Sequence, residues 1–213
     1  MNTLTQLIDL VSPRKNPELS TTHERAYVAA AAFVGAIACA AVWGLAAGSG
    51  SGRFALQNIV SVPMLVVVST VASLPLGLLV FRLTQTTGKA SDLVLAHAAA
   101  LFGGALVLLL LAPLVALYQL SSAWVGPFVA IGTAMLAFAC GVALFVRVLG
   151  KLVGDSGGRP FIVPVGLLVA VQIASLAQLA SLAPPVLPTR SAFGHGVDGL
   201  VHQAAEPSAA EQP

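Results

Sequence analysis

Five long apolar runs alternate with short polar connections along most of the chain. An α-helix rises about 1.5 Å per residue, so roughly 20 apolar residues cross the hydrocarbon core of a bilayer. None of the runs contains Asp, Glu, Lys or Arg, and none alternates apolar and polar residues as a barrel strand does. The pattern predicts an all-α, polytopic transmembrane bundle with spans at residues 26–48, 56–81, 93–118, 124–146 and 161–183.

The two ends of the chain differ from the predicted membrane domain of residues 26–183. Residues 1–25 form a predicted cytoplasmic segment, in which apolar side chains recur at helical spacing at Leu4, Leu7, Ile8 and Val11. We expect a short interfacial helix here, with a frayed terminal turn as the alternative. Residues 184–213 are rich in Pro, Ala, Gly and Glu, which predicts a disordered extracytoplasmic tail.

The first span has two competing interpretations, a signal peptide and a lipoprotein anchor. A signal peptide would have an N-terminal region of about 25 residues containing Asp9, Glu18 and Glu24, which is unlike the short basic region such peptides have. A lipoprotein site at Cys39 would lack the usual Leu three residues earlier. A retained membrane anchor fits better than either.

The positive charges predict the orientation of the bundle. Eight of the ten Lys and Arg residues fall before span one, between spans two and three, or between spans four and five. Only Arg53 and Arg190 fall on the other side. Because cytoplasmic connections carry the excess of Lys and Arg, the N-terminus is predicted to be cytoplasmic and the C-terminus outside.

Composition narrows the possible functions. The chain is 57% hydrophobic and only 8% charged, against about 25% charged for a typical soluble domain. No basic stripe indicates a nucleic-acid partner, and Cys39 and Cys140 lie inside apolar runs, which argues against a disulfide or a zinc site. We expect no metal or cofactor. The expected surroundings are the lipid bilayer of a bacterial inner membrane and other membrane proteins, since the wealth of Ala, Val, Leu and Gly with little Lys is typical of a GC-rich bacterial genome.

The polar residues inside or beside the spans are the candidate site residues. Asp92, with Ser91, falls where the third helix should have its N-cap, and His97 lies one to two turns deeper. His97 could take up a proton or contact a headgroup, but a hydrogen bond to a neighbouring helix is the favoured interpretation. A Ser-His-Asp triad with Ser69 or Ser73 is possible on paper, although no nucleophile elbow supports it.

The fifth span carries a polar stripe at a spacing of three residues, made of Gln172, Ser175, Gln178 and Ser181. Polar groups in lipid need partners, so the stripe should face the bundle. Interhelical hydrogen bonds are the default interpretation and a substrate-lined cavity is the sharper one. Small residues at a spacing of four, as in Gly44 and Gly48, predict close helix contact.

Prolines recur within the predicted spans. Three fall near predicted span starts, where a lost backbone hydrogen bond costs least, at Pro63, Pro127 and Pro164. Pro75 and Pro113 lie deeper and are the stronger candidates for kinks.

The layout resembles the bacterial Yip1-like membrane proteins. The resemblance covers residues 4–183 and rests on the five spans, on the proline- and small-residue-rich second and third spans, and on an opening segment that reads Leu7-Ile8-Asp9-Leu10-Val11-Ser12-Pro13-Arg14. It implies a five-helix membrane fold with a cytoplasmic N-terminus. Eukaryotic members of the family act in vesicle trafficking and bind small GTPases, and no catalytic residue is implied for this chain.

Three hypotheses follow for the function. The leading one is a non-enzymatic membrane protein of Yip1-like type that acts through membrane-protein or lipid interactions. The second is the membrane subunit of a transport system, with a path lined by Gln172, Ser175 and Gln178. The third is a membrane enzyme that uses His97 and Asp92.

Overall fold

The computed structural model describes residues 21–84, 89–122, 124–153 and 162–182. These residues form five α-helices, namely α1 (Thr22–Ala47), α2 (Gly52–Thr84), α3 (Ala90–Ser121), α4 (Val125–Val153) and α5 (Ile162–Leu182). No β-strand occurs in these ranges, so the predicted all-α fold is confirmed. The expected interfacial helix in residues 1–25 and the expected tail of residues 184–213 lie outside the described residues.

Helices α1 to α4 are each long and apolar enough to cross a membrane. Helix α5 has 21 residues, and its apolar stretch within the described part of the chain is Val165–Leu176. Large apolar side chains face outwards all around the bundle, among them Leu56, Leu110 and Met135, which are 71%, 78% and 69% exposed. An exposed apolar surface of this extent suits lipid rather than water, and the chain is therefore a multi-pass membrane protein.

Most of the helices extend beyond the apolar runs that predicted them, because the helical backbone continues into the polar interface. Helix α1 begins at a capping box, in which the Thr21 hydroxyl accepts the N–H of Glu24 and the Thr21 N–H donates to the Glu24 carboxylate, both at 3.2 Å. The prediction that Pro63 lies near a helix start is wrong. Helix α2 begins at Gly52, so Pro63 lies three turns inside it, as Pro75 lies inside α2 and Pro113 inside α3.

Helix α3 is the centre of the bundle. It packs along α1 on one side and along α4 on the other, while α1 also packs on α2, and α2 on α5. Helices α4 and α5 share no comparable seam over the described residues, although they follow each other in the chain. The bundle is therefore open along one side, between α4 and the α2–α5 pair.

Glycines set the closest approaches between helices. A Cβ on Gly44 would lie 2.4 Å from the backbone oxygen of Asn58, which confirms the predicted close contact at the Gly44–Gly48 pair. A second close approach joins α3 to α4, where a Cβ on Gly104 or Gly141 would lie 3.0 or 3.1 Å from a backbone oxygen of the facing helix. At Gly44 only a hydrogen fits in place of a side chain, whereas a Cβ at Gly104 or Gly141 would require the facing backbone to shift by a few tenths of an ångström.

Charged groups gather at one end of the bundle. Among the described residues, five of the six Lys and Arg side chains lie here, at Arg25, Arg82, Lys89, Arg147 and Lys151. We call this the charged end; the opposite end carries Arg53. Just inside the charged end lies an apolar cluster in which Val28, Phe81, Leu93 and Leu149 are completely buried.

Candidate functional site

All five helices line a cavity in the middle of the bundle. Its volume is about 440 Å³, within the roughly 300–1,000 Å³ typical of small-molecule sites. The lining is apolar, and besides the Trp43 indole its polar side chains are Ser69, His97 and Gln172. No Asp, Glu, Lys or Arg of the described ranges takes part in the lining.

The cavity is elongated along the helix axes. His97 marks one extremity, where its ring meets that of Phe145 edge-on with centroids 6.0 Å apart. Trp43 marks the other, where its Nε1–H donates to the Thr133 hydroxyl at 3.3 Å. Phe145 and Thr133 both belong to α4 and are 12 residues apart, so the two extremities are separated by about 18 Å along the bundle axis.

The cavity communicates with the lipid-facing surface through the open side of the bundle. Ile131 and Met135 of α4 line the cavity and are also 49% and 69% exposed. Leu176 of α5 belongs to the same lining. Because α4 and α5 share no comparable seam over the described residues, an apolar molecule dissolved in the bilayer has a lateral route into the cavity.

His97 is buried on α3, and its Nε2 has no hydrogen-bond partner. The bond to a neighbouring helix that the sequence suggested is therefore missing at this nitrogen. A buried polar atom without a partner loses its water without compensation, which is unfavourable by about 1–3 kcal/mol. Such atoms are rare in folded proteins, and each one calls for a specific explanation.

Gln172 joins α5 to α2 by two hydrogen bonds inside the bundle. Its Oε1 accepts the Ser73 hydroxyl at 2.5 Å, and its Nε2–H donates to the Ser69 hydroxyl at 3.0 Å. Ser69 in turn donates to the Val66 carbonyl at 3.0 Å. The expectation that Gln172 faces the bundle and bonds across helices is met, and the same residue also lines the cavity.

Asp92 takes part in a different arrangement, at the charged end. Its Oδ1 accepts from the Arg25 guanidinium at 2.5 Å, which ties α3 to α1, and its Oδ2 accepts the Lys89 N–H at 3.1 Å. The helix begins at Ala90, so Lys89 is the N-cap residue and Asp92 acts from the third helical position, not from the N-cap itself. The carboxylate has a structural role in this arrangement, favoured further by the helix dipole.

The sequence candidates thus separate into two places. His97, Ser69 and Gln172 share the cavity, whereas Asp92 is bonded to Arg25 outside its lining. The Ser-His-Asp arrangement is not assembled, because both serines bond Gln172 and His97 Nε2 bonds neither partner. Ser175 is half-buried on α5, and the side chain of Gln178 lies outside the described residues.

Several residues that shape the site were not singled out in the sequence. Phe145 and Trp43 bound the cavity, and Gly104 and Gly141 bring α3 and α4 together beside it. The Thr21-x-x-Glu24 capping signature was available to place the start of α1 four residues earlier. The other contacts depend on how each helix is rotated about its axis, and helices that are apolar on every side do not signal that rotation.

The fold and the site define a multi-pass α-helical membrane protein with an apolar cavity at bilayer depth. No known protein family, curated protein or solved structure matches the chain.

Proposed function

We propose that this chain is a non-enzymatic protein of a bacterial inner membrane, of Yip1-like type, that works by binding lipid or other membrane components within the bilayer. The observation that carries the proposal is the cavity, which is apolar, about 440 Å³ in volume and open towards α4 and α5. A site without charged lining has little means of stabilising ionic intermediates. It does suit an apolar occupant that enters from the membrane.

The charged end supports a cytoplasmic N-terminus. Helix α1 starts at this end and the helices alternate in direction, so the connections between α2 and α3 and between α4 and α5 lie here too. All described Lys and Arg residues except Arg53 also lie here. By the positive-inside rule this end faces the cytoplasm, and with five spans the C-terminus lies outside.

Transport is the alternative function, and the polar groups Ser69 and Gln172 in the cavity are the observation in its favour. Two features weaken it. These two groups are bonded to each other and so have less capacity for a solute. The rest of the lining is apolar, whereas a hydrated path needs polar groups along its length.

The two tryptophans offer a direct test. In a Trp124→Phe protein the remaining Trp43 reports from the cavity, and in a Trp43→Phe protein Trp124 reports from the exposed start of α4. We expect phospholipids with brominated acyl chains to quench Trp43 and aqueous iodide to leave it unquenched. Iodide should quench Trp124. Quenching of Trp43 by iodide would instead indicate a water-filled path and favour transport.

Filling the cavity provides a matched control. Ala134 lines it, whereas Ala139 of the same helix is exposed and outside it. Ala134→Phe should reduce the quenching of Trp43 by brominated lipid several-fold, and Ala139→Phe should leave it unchanged. Equal effects of the two substitutions would show that lipid reaches Trp43 by a route other than the cavity.

The orientation is tested separately with reporter fusions. An alkaline phosphatase joined after residue 192 should be active, because this enzyme matures only outside the cytoplasm. A fluorescent protein joined at the same place should be dark. The opposite pair of results would overturn either the five-span topology or the direction of insertion.

A further inference from the structure

We infer that the cavity takes up an acyl chain of a glycerophospholipid from the leaflet at the end of the bundle where Trp124 lies, while the headgroup of that lipid stays at the membrane surface. This inference rests on the proposed function, since it names the class of lipid and the side from which it enters. It is carried by the depth of the cavity's rim, by the unequal packing of α5 at the two ends of the cavity, and by a lining that offers no place to a headgroup.

Exposed aromatic side chains mark the membrane surface opposite the charged end. Trp124, just before α4, is 58% exposed, and its ring centroid lies 5.3 Å from that of Phe128, which is 50% exposed. Aromatic rings of this kind concentrate at the level of the lipid headgroups. We call this the Trp124 end of the bundle, and depth along α4 can be measured from it.

The cavity opens to lipid within the leaflet at the Trp124 end. Among the described residues that line it, only Ile131 and Met135 are exposed, and the others are buried or half-buried. These two residues follow Trp124 by 7 and 11 positions, which places them about 10 and 16 Å into the membrane at the rise of an α-helix. One leaflet of hydrocarbon is about 15 Å thick, so the rim lies at the depth of the acyl chains of this leaflet.

Helix α5 closes the other end of the cavity. Its Val165 belongs to the same buried cluster as Phe145 and Leu149 of α4, near the charged end. The second buried cluster, which contains Trp43, includes no described residue of α5. Helices α4 and α5 therefore share a cluster near the charged end and are separated near the Trp124 end. Lipid of the leaflet at the charged end has no comparable entrance.

This shape favours an acyl chain over a helix of a second copy as the occupant. An α-helix with its side chains is about 10–12 Å wide, and a helix that spans the bilayer would have to fit between α4 and α5 at every depth. The cluster shared by α4 and α5 at the charged end blocks that course. An acyl chain is thin enough to bend from the leaflet through the rim and to end against the cluster.

The lining excludes the headgroup. No Asp, Glu, Lys or Arg of the described ranges takes part in it, so a phosphate would be desolvated there without a partner. Ser69 and Gln172 are bonded to each other, and the unpartnered His97 Nε2 is enclosed by protein atoms. The headgroup therefore stays at the surface near Trp124, and binding depends on the chain.

Two labelled proteins, with the label on the same face of α4, test the entrance. Met135→Cys and Val146→Cys are each made in a Trp124→Phe protein without the two native cysteines, so that Trp43 is the reporter. Val146 lies about three turns beyond Met135, is 39% exposed and is outside the lining. Each delipidated protein is labelled in detergent with N-cyclohexylmaleimide and placed in nanodiscs that contain phospholipid with brominated acyl chains.

We expect the label at residue 135 to reduce the quenching of Trp43 several-fold, and the label at residue 146 to leave it unchanged, each relative to the unlabelled protein. Equal effects of the two labels, or a larger effect at residue 146, would overturn the entrance at the Trp124 end and leave lipid binding in the cavity standing. Absence of quenching by brominated phospholipid in the unlabelled Trp124→Phe protein would overturn both the inference and the proposed function.

Two further comparisons identify the occupant. Brominated phosphatidylcholine and brominated phosphatidylglycerol, which carry the same chains and differ in headgroup charge, should quench Trp43 equally in the unlabelled protein. A several-fold preference for either would show that the headgroup is bound, and would overturn the inference while lipid binding stands. Quenching that falls as the number of protein copies per nanodisc increases would also overturn it, since a second copy would then fill the opening.

Discussion

Two seams of the bundle hold helices together in different ways. Between α3 and α4 the backbones meet at Gly104 and Gly141, with no side chain between them, and we call this contact the glycine seam. Between α2 and α5 the Gln172 amide bonds two serine hydroxyls, and we call this contact the amide seam. In lipid there is no hydrophobic force between helices, so dispersion at close range and buried hydrogen bonds are the two available solutions.

The contrast matters because the cavity lies between the two seams. The glycine seam leaves little room for added volume and fixes one wall of the cavity. The amide seam depends on three side chains. In the described residues, α2 is the only helix against which α5 packs closely. We therefore expect the α3–α4 side to be the rigid half of the site and the α2–α5 side to be the adjustable half.

The largest expected effect comes from filling the glycine seam. A Cβ at Gly104 already lies 3.0 Å from the Ala137 backbone oxygen, so Gly104→Leu must push α3 and α4 apart. We expect a loss of about 3 kcal/mol in the free energy of unfolding, measured by denaturation in mixed micelles. Gly132→Leu is the matched control, because a Cβ there meets nothing within 4 Å. Similar losses for both would mean that α3 and α4 do not meet at Gly104.

The next effect concerns the ion pair between α1 and α3. Asp92→Ala removes both the Arg25 bond and the Lys89 cap, and we expect a loss of about 2 kcal/mol by the same denaturation assay. Asp92→Asn keeps an acceptor for the Lys89 N–H and should lose about half as much. If both variants were as stable as the parent protein, apolar packing alone would stabilise the contact between α1 and α3.

A smaller effect is expected at the amide seam. Gln172→Leu removes both interhelical bonds, but Ser69 and Ser73 still donate to the Val66 and Thr70 carbonyls of their own helix. The loss should be about 1 kcal/mol. A double-mutant cycle with Ser73→Ala should give a coupling of roughly 0.6 kcal/mol. Zero coupling would show that the Gln172–Ser73 bond does not contribute.

The smallest effect is expected at His97 in the absence of a ligand. If His97 made the hydrogen bond to a neighbouring helix that the sequence favoured, His97→Leu would loosen the bundle and His97→Gln would not. Since Nε2 has no partner, the structure instead predicts that His97→Leu is neutral or stabilising by up to about 1 kcal/mol. A clear loss of stability in delipidated His97→Leu protein would mean that the ring has a structural partner.

The helices could be located from the sequence because each corresponds to an uncharged apolar run of more than 20 residues. Such a run is long enough to span a bilayer and too apolar to face water. Sequence reasoning also identified Gly44 and Gly48, since small residues spaced by four are visible within one helix. It placed Pro63 wrongly because apolar residues define the membrane-embedded part of a helix, whereas this helix begins earlier, at Gly52 and Arg53.

The site was predicted only in part. Gln172 was identified because a polar residue in lipid must find a partner, and it did so on α2. The partner of Asp92 was missed because Arg25 is 67 residues away and had been interpreted only as a signal of orientation. The meeting of His97 with Phe145 depends on helix rotation and on which helices are neighbours, and neither is encoded in a local pattern.

The pairing of α5 with α2 bears on the biogenesis of the protein. Helix α5 is synthesised after the other four, and over the described residues it packs on α2 and shares no comparable seam with α4, the helix that precedes it. During translation the first four helices therefore form an open trough, whose last wall is added when α5 leaves the translocon. If the proposed lipid binding holds, a lipid that occupies the trough at that stage is enclosed by the docking of α5.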